Sequence, residues 1–333
     1  MKKLLIVILV AGFGWAGYWW IGATAAKTGF EGWFAERRVE GWLAETSDIT
    51  VRGFPNRFDT TFTGLSLADP ETGLAWDMPF FQLFALSYQP NHLIAVWPND
   101  QKIATPDEKL VLKSGDMRAS LVLQPGAALA LDRANFVAEE TTLASSQGWQ
   151  SVARLFRLAT QRIEGEEPGY RMAVEANGFA PPSLFRLRAD PGKHLPDTFS
   201  ALKADMVVTF DRQWDRFAIE SARPQPVHID LTLAQARWGE LELWAAGKLK
   251  VDALGSPNGE ITVRATNWRD IVRLARDSGN VPSPLLDAIE PALDMLSGLS
   301  GNPKTLDVPL RLKGGKVLLG PVPVGTAPRL ELR

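Results

Sequence analysis

Three histidines, His92, His194 and His228, are the only imidazoles in the 333 residues, and each lies in a different segment. A histidine metal site needs ligands spaced to share one face of an element, as i and i+4 do on a helix, and no two of these meet that requirement. Cysteine is absent. That removes thiolate nucleophiles, zinc–cysteine sites and disulfides, and it suits an oxidising compartment without requiring one. Ser297-Gly-Leu-Ser-Gly301 has the glycine spacing of a nucleophile elbow, but an elbow follows a strand and this segment follows a helical stretch, so it reads as a helix C-cap. There is no phosphate-cradling glycine loop ending in Lys-Ser or Lys-Thr, and no dinucleotide fingerprint opening a helix. Carboxylates such as Glu240 and Glu242 alternate along strands as solvated charges do, whereas acid–base work needs a cleft. A cleft gathering His92, Asp59 and Arg57 is the one arrangement that would revive catalysis. The residues otherwise make no catalytic constellation and call for no cofactor and no metal. The expectation is a protein that is not an enzyme.

In place of reactive groups the chain has a patterned apolar face. From Val227 to Thr266 almost every second residue is apolar and those between are mostly charged or hydroxylated. A period of two puts Ile229, Leu231, Leu233, Leu241, Leu243, Leu249, Val251, Ile261 and Val263 on one side of a sheet, with water on the other. Gly239 and the Gly255-Ser-Pro-Asn-Gly259 cluster supply turns, so neighbouring strands are antiparallel. These nine residues are the candidate lining of an apolar groove. Helices packed on the same face would instead make an ordinary filled core.

A formal charge of -2, from 36 basic and 38 acidic residues, offers nucleic acid no electrostatic attraction. A hydrophobic fraction of 45% fits a globular chain and not a multi-span membrane protein. The amino terminus is different. After Met1-Lys2-Lys3, residues 4–26 carry no charge, enough at about 1.5 Å per residue to cross a hydrocarbon core of about 30 Å. Trp15, Tyr18, Trp19 and Trp20 gather towards the far end as an interfacial belt would. The same stretch can be read as a signal peptide cut after Ala23-Thr-Ala25, but bulky aromatics so near the cut favour a retained span. Lys2 and Lys3 favour a cytoplasmic amino terminus, which leaves the bulk of the chain outside the cytoplasm.

Past the span, the spacing predicts an amphipathic helix over 30–45, lying on a bilayer or capping a sheet. Short strands with Pro/Gly punctuation follow, through Gly53-Phe-Pro55 and Pro70-Glu-Thr-Gly73. Trp149, Val152, Ala153, Phe156, Ala159, Thr160 and Ile163 predict a helix over 147–163, closed by Glu164-Gly-Glu-Glu-Pro-Gly169. Residues 179–199, rich in proline, read as an ordered loop. Asn267 with Asp270 resembles a capping box opening a helix. A second helix runs from Pro284 to about Leu299, kinked or split at Pro291. Leu306, Val308, Leu310 and Leu312 then alternate into a hairpin at Gly314-Gly315. The expected fold is α+β and β-rich: a single amino-terminal transmembrane helix followed by extended curved antiparallel sheets with a few covering helices. The expected division is an anchor over 1–27, a first β-rich half over 28–165, and a second over 166–333 with helices at 268–299.

Gly53-Phe-Pro-Asn-Arg-Phe-Asp59, Tyr88-Gln-Pro-Asn-His-Leu-Ile-Ala-Val-Trp-Pro98, Asn267-Trp-Arg269, Leu306-Asp-Val-Pro-Leu310 and Leu319-Gly-Pro-Val-Pro323 together resemble the bacterial domain-of-unknown-function family 2125. The resemblance covers nearly the whole chain after the anchor and carries over no activity or catalytic residue. In style the second half is also similar to AsmA-like envelope proteins. That similarity implies a greasy inner groove on the outer side of the inner membrane, serving lipid traffic or envelope upkeep. The expected partners are therefore the inner membrane through residues 4–26, a lipid ligand, or envelope proteins bound at a sheet edge or helix face.

Overall fold

A 38-residue helix, α1 (Lys2–Val39), opens the chain. The structure is a computed structural model and describes residues 1–165, 168–220, 223–279, 281–299 and 302–332. The helix is long and apolar enough to cross a membrane, and its apolar part is exposed. It continues without a break into the charged stretch, so span and amphipathic helix are one element. It stops earlier than the spacing predicts. Arg37 and Arg38 occupy its last turn, Gly41 takes a positive φ, and Leu43–Glu45 become a strand.

The chain forms two compact units, 1–125 with 136–148, and 126–135 with 149–333. The first holds α1 and the strands β1 (Leu43–Glu45), β2 (Asp48–Arg52), β3 (Arg57–Asp69), β4 (Leu74–Leu86), β5 (Gln89–Val96), β6 (Asp100–Ala104), β7 (Lys109–Lys113), β8 (Asp116–Leu123) and the later part of β9 (Leu131–Ser145). The long β3–β4 hairpin is its spine, with β1 and β2 on one side and β5 and β6 on the other, all antiparallel. Apolar residues of β2 and β3 meet the end of α1 there. Phe34, Ile49, Phe62, Leu65 and Met78 form a buried cluster edged by Trp33, Trp42, Trp76 and Trp97. Phe30 meets Phe62 edge-on at 5.0 Å, a geometry that adds to simple area burial.

The second unit continues through β10 (Gln150–Arg162), β11 (Gly169–Asn177), α2 (Ser183–Ala189), β12 (Ala201–Phe210), α3 (Phe217–Glu220), β13 (Pro226–Trp238), β14 (Leu241–Val251), β15 (Pro257–Thr266), α4 (Trp268–Ser278), α5 (Ser283–Leu299), β16 (Thr305–Lys313), β17 (Lys316–Leu319) and β18 (Val322–Thr326). From β10 to β18 each strand pairs antiparallel with the next. The β-rich α+β expectation therefore holds.

Several local expectations do not. The helix predicted over 147–163 is strand β10. Its apolar residues fit a 3.6 period, but Phe156, Leu158 and Thr160 also alternate with Arg157, Ala159 and Gln161. An unbroken ladder from Leu155↔Asn177 to Arg162↔Tyr170 decides between the two by pairing the backbone with β11. The division falls before this strand and not at 165, and Glu166 and Glu167 of the proposed boundary lie outside the described residues. The 179–199 loop contains α2. Asn267 does sit at the N-cap of α4, but its side chain makes no cap bond. Its amide donates to the Glu240 carbonyl at 2.7 Å, while Asp270 pairs with Arg273 at 2.5 Å. Pro291 lies inside one continuous α5. Ser297 donates back to the Asp294 carbonyl within that helix. Ser300 and Gly301 of the proposed C-cap lie outside the described residues.

Trp268 is the keystone of the helical corner. It is 1% exposed, clusters with Val272, Leu286, Leu293, Leu306 and Ala265, and carries the Arg269 guanidinium over its ring at 4.5 Å. Trp268→Ala should destabilise the second unit by about 3–5 kcal/mol, read as a lowered thermal midpoint. An unchanged midpoint would mean that α4 does not pack on the sheet.

Candidate functional site

Residues directly opposite in an antiparallel ladder share a face, so the registers map the apolar side of the second unit row by row. One row runs Phe156, Ala176, Leu202, Ala236, Leu243, Ala265, Leu306. The next runs Leu158, Val174, Ala204, Ala234, Ala245, Val263, Val308. A third runs Thr160, Met172, Met206, Leu231, Gly247, Ile261, Leu310, Leu319, and a fourth joins Tyr170, Val208, Ile229, Leu249 and Leu312. The expected groove residues are thus part of a larger surface that crosses the strands from β10 to β17.

Eight of the nine predicted lining residues lie on this face. Leu241, Leu249 and Val251 are buried, Ile229, Leu231, Ile261 and Val263 are half-buried, and Leu243 is 37% exposed. Leu233 does not belong. Leu231 pairs with Gly247 and Ala234 with Ala245, so β13 carries one extra residue between them. That bulge reverses the alternation. Leu233 falls opposite Asp205 on the other side, where it lines an open depression of about 530 Å³ with Thr232, Trp244, Thr262, Arg264 and Asp307. The phase change is visible in the residues: apolar side chains occupy odd positions through Leu233 and even positions from Ala234 to Trp238. Phe156 was missed as lining because a helical period fits it too, and Leu158, which stands off that helical stripe, was the signal for a strand.

Three parts of the face are covered. Over Trp238, the partner of Leu241, the rings of Phe199 and Phe185 stack at 4.4 and 6.4 Å and the Pro196 carbonyl accepts from the indole. At β15–β17 the helices α4 and α5 pack over Ala265, Leu306, Val308 and Leu319. At β11–β12, Trp214 and Leu131 close over Tyr170, Val208 and Phe210. Trp214 meets Phe210 edge-on at 5.5 Å, and burial pushes the Tyr170 hydroxyl above its ordinary pKa. The helix expected to fill the remainder is itself a strand of the sheet. Leu158, Val174, Leu231, Leu243, Ile261, Val263 and Leu310 between these covered parts stay partly exposed.

The reverse side is laced with cross-strand ion pairs: Lys203–Glu175, Arg171–Asp205, Lys248–Asp230, Arg237–Glu242 and Arg264–Asp307. The Arg171 and Arg264 forks hold the carboxyls of Asp205 and Asp307 below the usual aspartate range, and Arg237 does the same for Glu242. Such exposed pairs contribute little energy each. Their placement marks which side faces water.

No catalytic cleft forms from the residues that could have made one. Arg57 pairs with Asp59 on β3, His92 Nε2 lies 2.9 Å from Ser120 Oγ on β8, and β4 and its Phe84 stand between. His194 lines a separate depression with Glu240, Asp270 and Arg273. Among the described residues no group of three His, Asp or Glu side chains could hold a metal ion.

A family model described as "Uncharacterized protein conserved in bacteria (DUF2125)" matches residues 19–328. The chain belongs to the DUF2125 family. The match begins inside α1 and takes in both units. No curated protein and no solved structure matches the chain, so the similarity in style to AsmA-like proteins finds no counterpart there.

The depressed carboxyls set a pH dependence. Asp205 and Asp307 have folded pKa values below the unfolded value of about 3.9, so their contribution is present above that value and lost as pH falls through the folded one. The thermal midpoint should drop as pH goes below about 4, and an Asp205→Asn, Asp307→Asn double variant should show a shallower drop. An identical slope in the variant would remove these pairs from the acid response.

Proposed function

We propose that this DUF2125 protein is anchored in the bacterial inner membrane by α1, exposes its bulk to the periplasm, and holds lipid or another apolar ligand on the β10–β17 face without catalysing a reaction. The observation that carries this reading is the incomplete cover of that face: apolar rows seven residues wide, roofed by the described residues in three places and part-exposed between them. An apolar surface of this extent on a protein otherwise finished with ion pairs marks a binding surface. The absence of charged residues from residues 4–26 and the lysine pair before them support the anchor and its orientation. A role in envelope maintenance follows from an apolar ligand held next to the membrane.

The alternative is a scaffold that binds envelope proteins at a sheet edge. The edge strand β18 carries Pro323, with Pro321 just before it, and proline blunts strand addition. That favours the face over the edge.

Photo-crosslinking in cells separates the two. A benzoylphenylalanine in place of Leu243 or Ile261 should yield lipid adducts by mass spectrometry, and one in place of Thr262 on the reverse should not. Protein adducts at Leu243 would favour the scaffold, and no preference between the faces would sink the lipid reading. Substitution tells the same story through stability. Leu243→Asp, at a part-exposed position, should keep the fold and lose the lipid adduct at Ile261. Val251→Asp, at a position 7% exposed, should cost more than about 3 kcal/mol and unfold the unit.

A further inference from the structure

The apolar part of α1 does not stand clear of the first unit. Trp15 Nε1 donates to the Pro55 carbonyl at 2.9 Å, Tyr18 Oη to the Ser87 carbonyl at 2.6 Å, and Trp19 Nε1 to the Arg57 carbonyl at 2.7 Å. Trp19 also meets Phe54 edge-on at 5.5 Å. At Gly22 a Cβ would come within 2.6 Å of the Phe58 ring, so a larger residue there would push the ring aside. These contacts fasten the loop before β3 and the turn between β4 and β5 to the middle of the uncharged stretch. The two tips are tied together by the Ser87 amide, which donates to the Asn56 carbonyl at 2.8 Å.

Helix length then places those tips. Crossing a core of about 30 Å takes about 20 residues, which from Leu4 reaches Ala23. The stretch from Leu4 to Gly14, before the first fastening, measures only about 16 Å. Tilting α1 shortens its reach across the bilayer further. The carbonyls held by Trp15, Tyr18 and Trp19 therefore lie roughly 6 to 12 Å inside the apolar slab.

The tips are built for that depth. Phe54 is 58% and Tyr88 59% exposed, and Pro55 and Pro90 beside them are exposed as well. Three backbone carbonyls take their hydrogen bonds from side chains of the span, as groups withdrawn from water require. Arg57, whose side chain is 57% exposed, pairs its guanidinium with Asp59 and lies over the Phe84 ring at 5.9 Å, so its charge is partnered.

We infer that the 53–57 loop and the 86–90 turn form a second membrane-embedded element, seated in the acyl region of the leaflet farther from Lys2 and Lys3, with Phe54 and Tyr88 inserted among lipid chains. This rests on α1 being a membrane span. It adds that the β3–β4 and β4–β5 connections enter the bilayer with it, which fixes the height and rotation of the first unit over the membrane.

The cysteine-free chain allows single nitroxide labels on the full-length protein in phosphatidylethanolamine–phosphatidylglycerol vesicles. Labels go at Phe54 and Tyr88, at Val10 in the span, and at Glu71 in the opposite turn of the β3–β4 hairpin. Power saturation with oxygen and with a water-soluble nickel complex reads depth. Phe54 and Tyr88 should match Val10, accessible to oxygen and shielded from nickel, and Glu71 should show the reverse. Nickel access at Phe54 and Tyr88 equal to that at Glu71, with Val10 still shielded, overturns the inference and leaves the span intact. Nickel access at Val10 as well would overturn the span itself.

Discussion

The antiparallel ladder of the second unit is the constraint on which the rest depends. Each strand is two-faced by composition, and its partner must present the same face in the same register or apolar side chains would lie against charges. From β10 to β17 that condition is met strand after strand. The phase change in β13 between Leu231 and Ala234 is absorbed by a bulge that turns out Leu233 and keeps Ala234, Ala236 and Trp238 in line. The result is a sheet with a water side stitched by arginine–carboxylate pairs and an apolar side that the unit's own helices only partly roof.

In the first unit the organising contact is between α1 and the β2–β3 edge. Phe30 and Phe34 pack against Phe62, and three to four turns earlier the helix fastens the 53–57 loop through indole donors and the 86–90 turn through a phenol. A helix serving only as a tether would need none of these bonds. Here one side of α1 remains apolar and exposed, while the other supplies hydrogen bonds to loop carbonyls.

Much of the architecture was legible in one dimension. The uncharged 23-residue stretch, the alternating strand from Leu306 to Leu312, and the helix opening at Trp268 all appear where their periods place them, because each is set by neighbours two to four residues away. Where two periods overlap, the local signal is ambiguous. Phe156 and Thr160 satisfy a strand and a helix equally, and the ladder with β11 selects the strand. Asn267 has the residue type of a cap, but the Glu240 carbonyl, brought beside it by the sheet, takes its amide instead.

The sequence by itself determined that this chain has a membrane-length apolar helix, β-rich units, no cysteine chemistry and a period-two apolar side, since composition and short-range alternation carry all of these. Tertiary structure decided which residues share that side, because a one-residue bulge inverts every side chain after it. It also decided that the described residues cover the face in part and that α1 is bound to two loops. Hydrogen bonds between Trp15 and Pro55, or Tyr18 and Ser87, join residues 40 and 69 positions apart, and no local pattern encodes a contact over that separation.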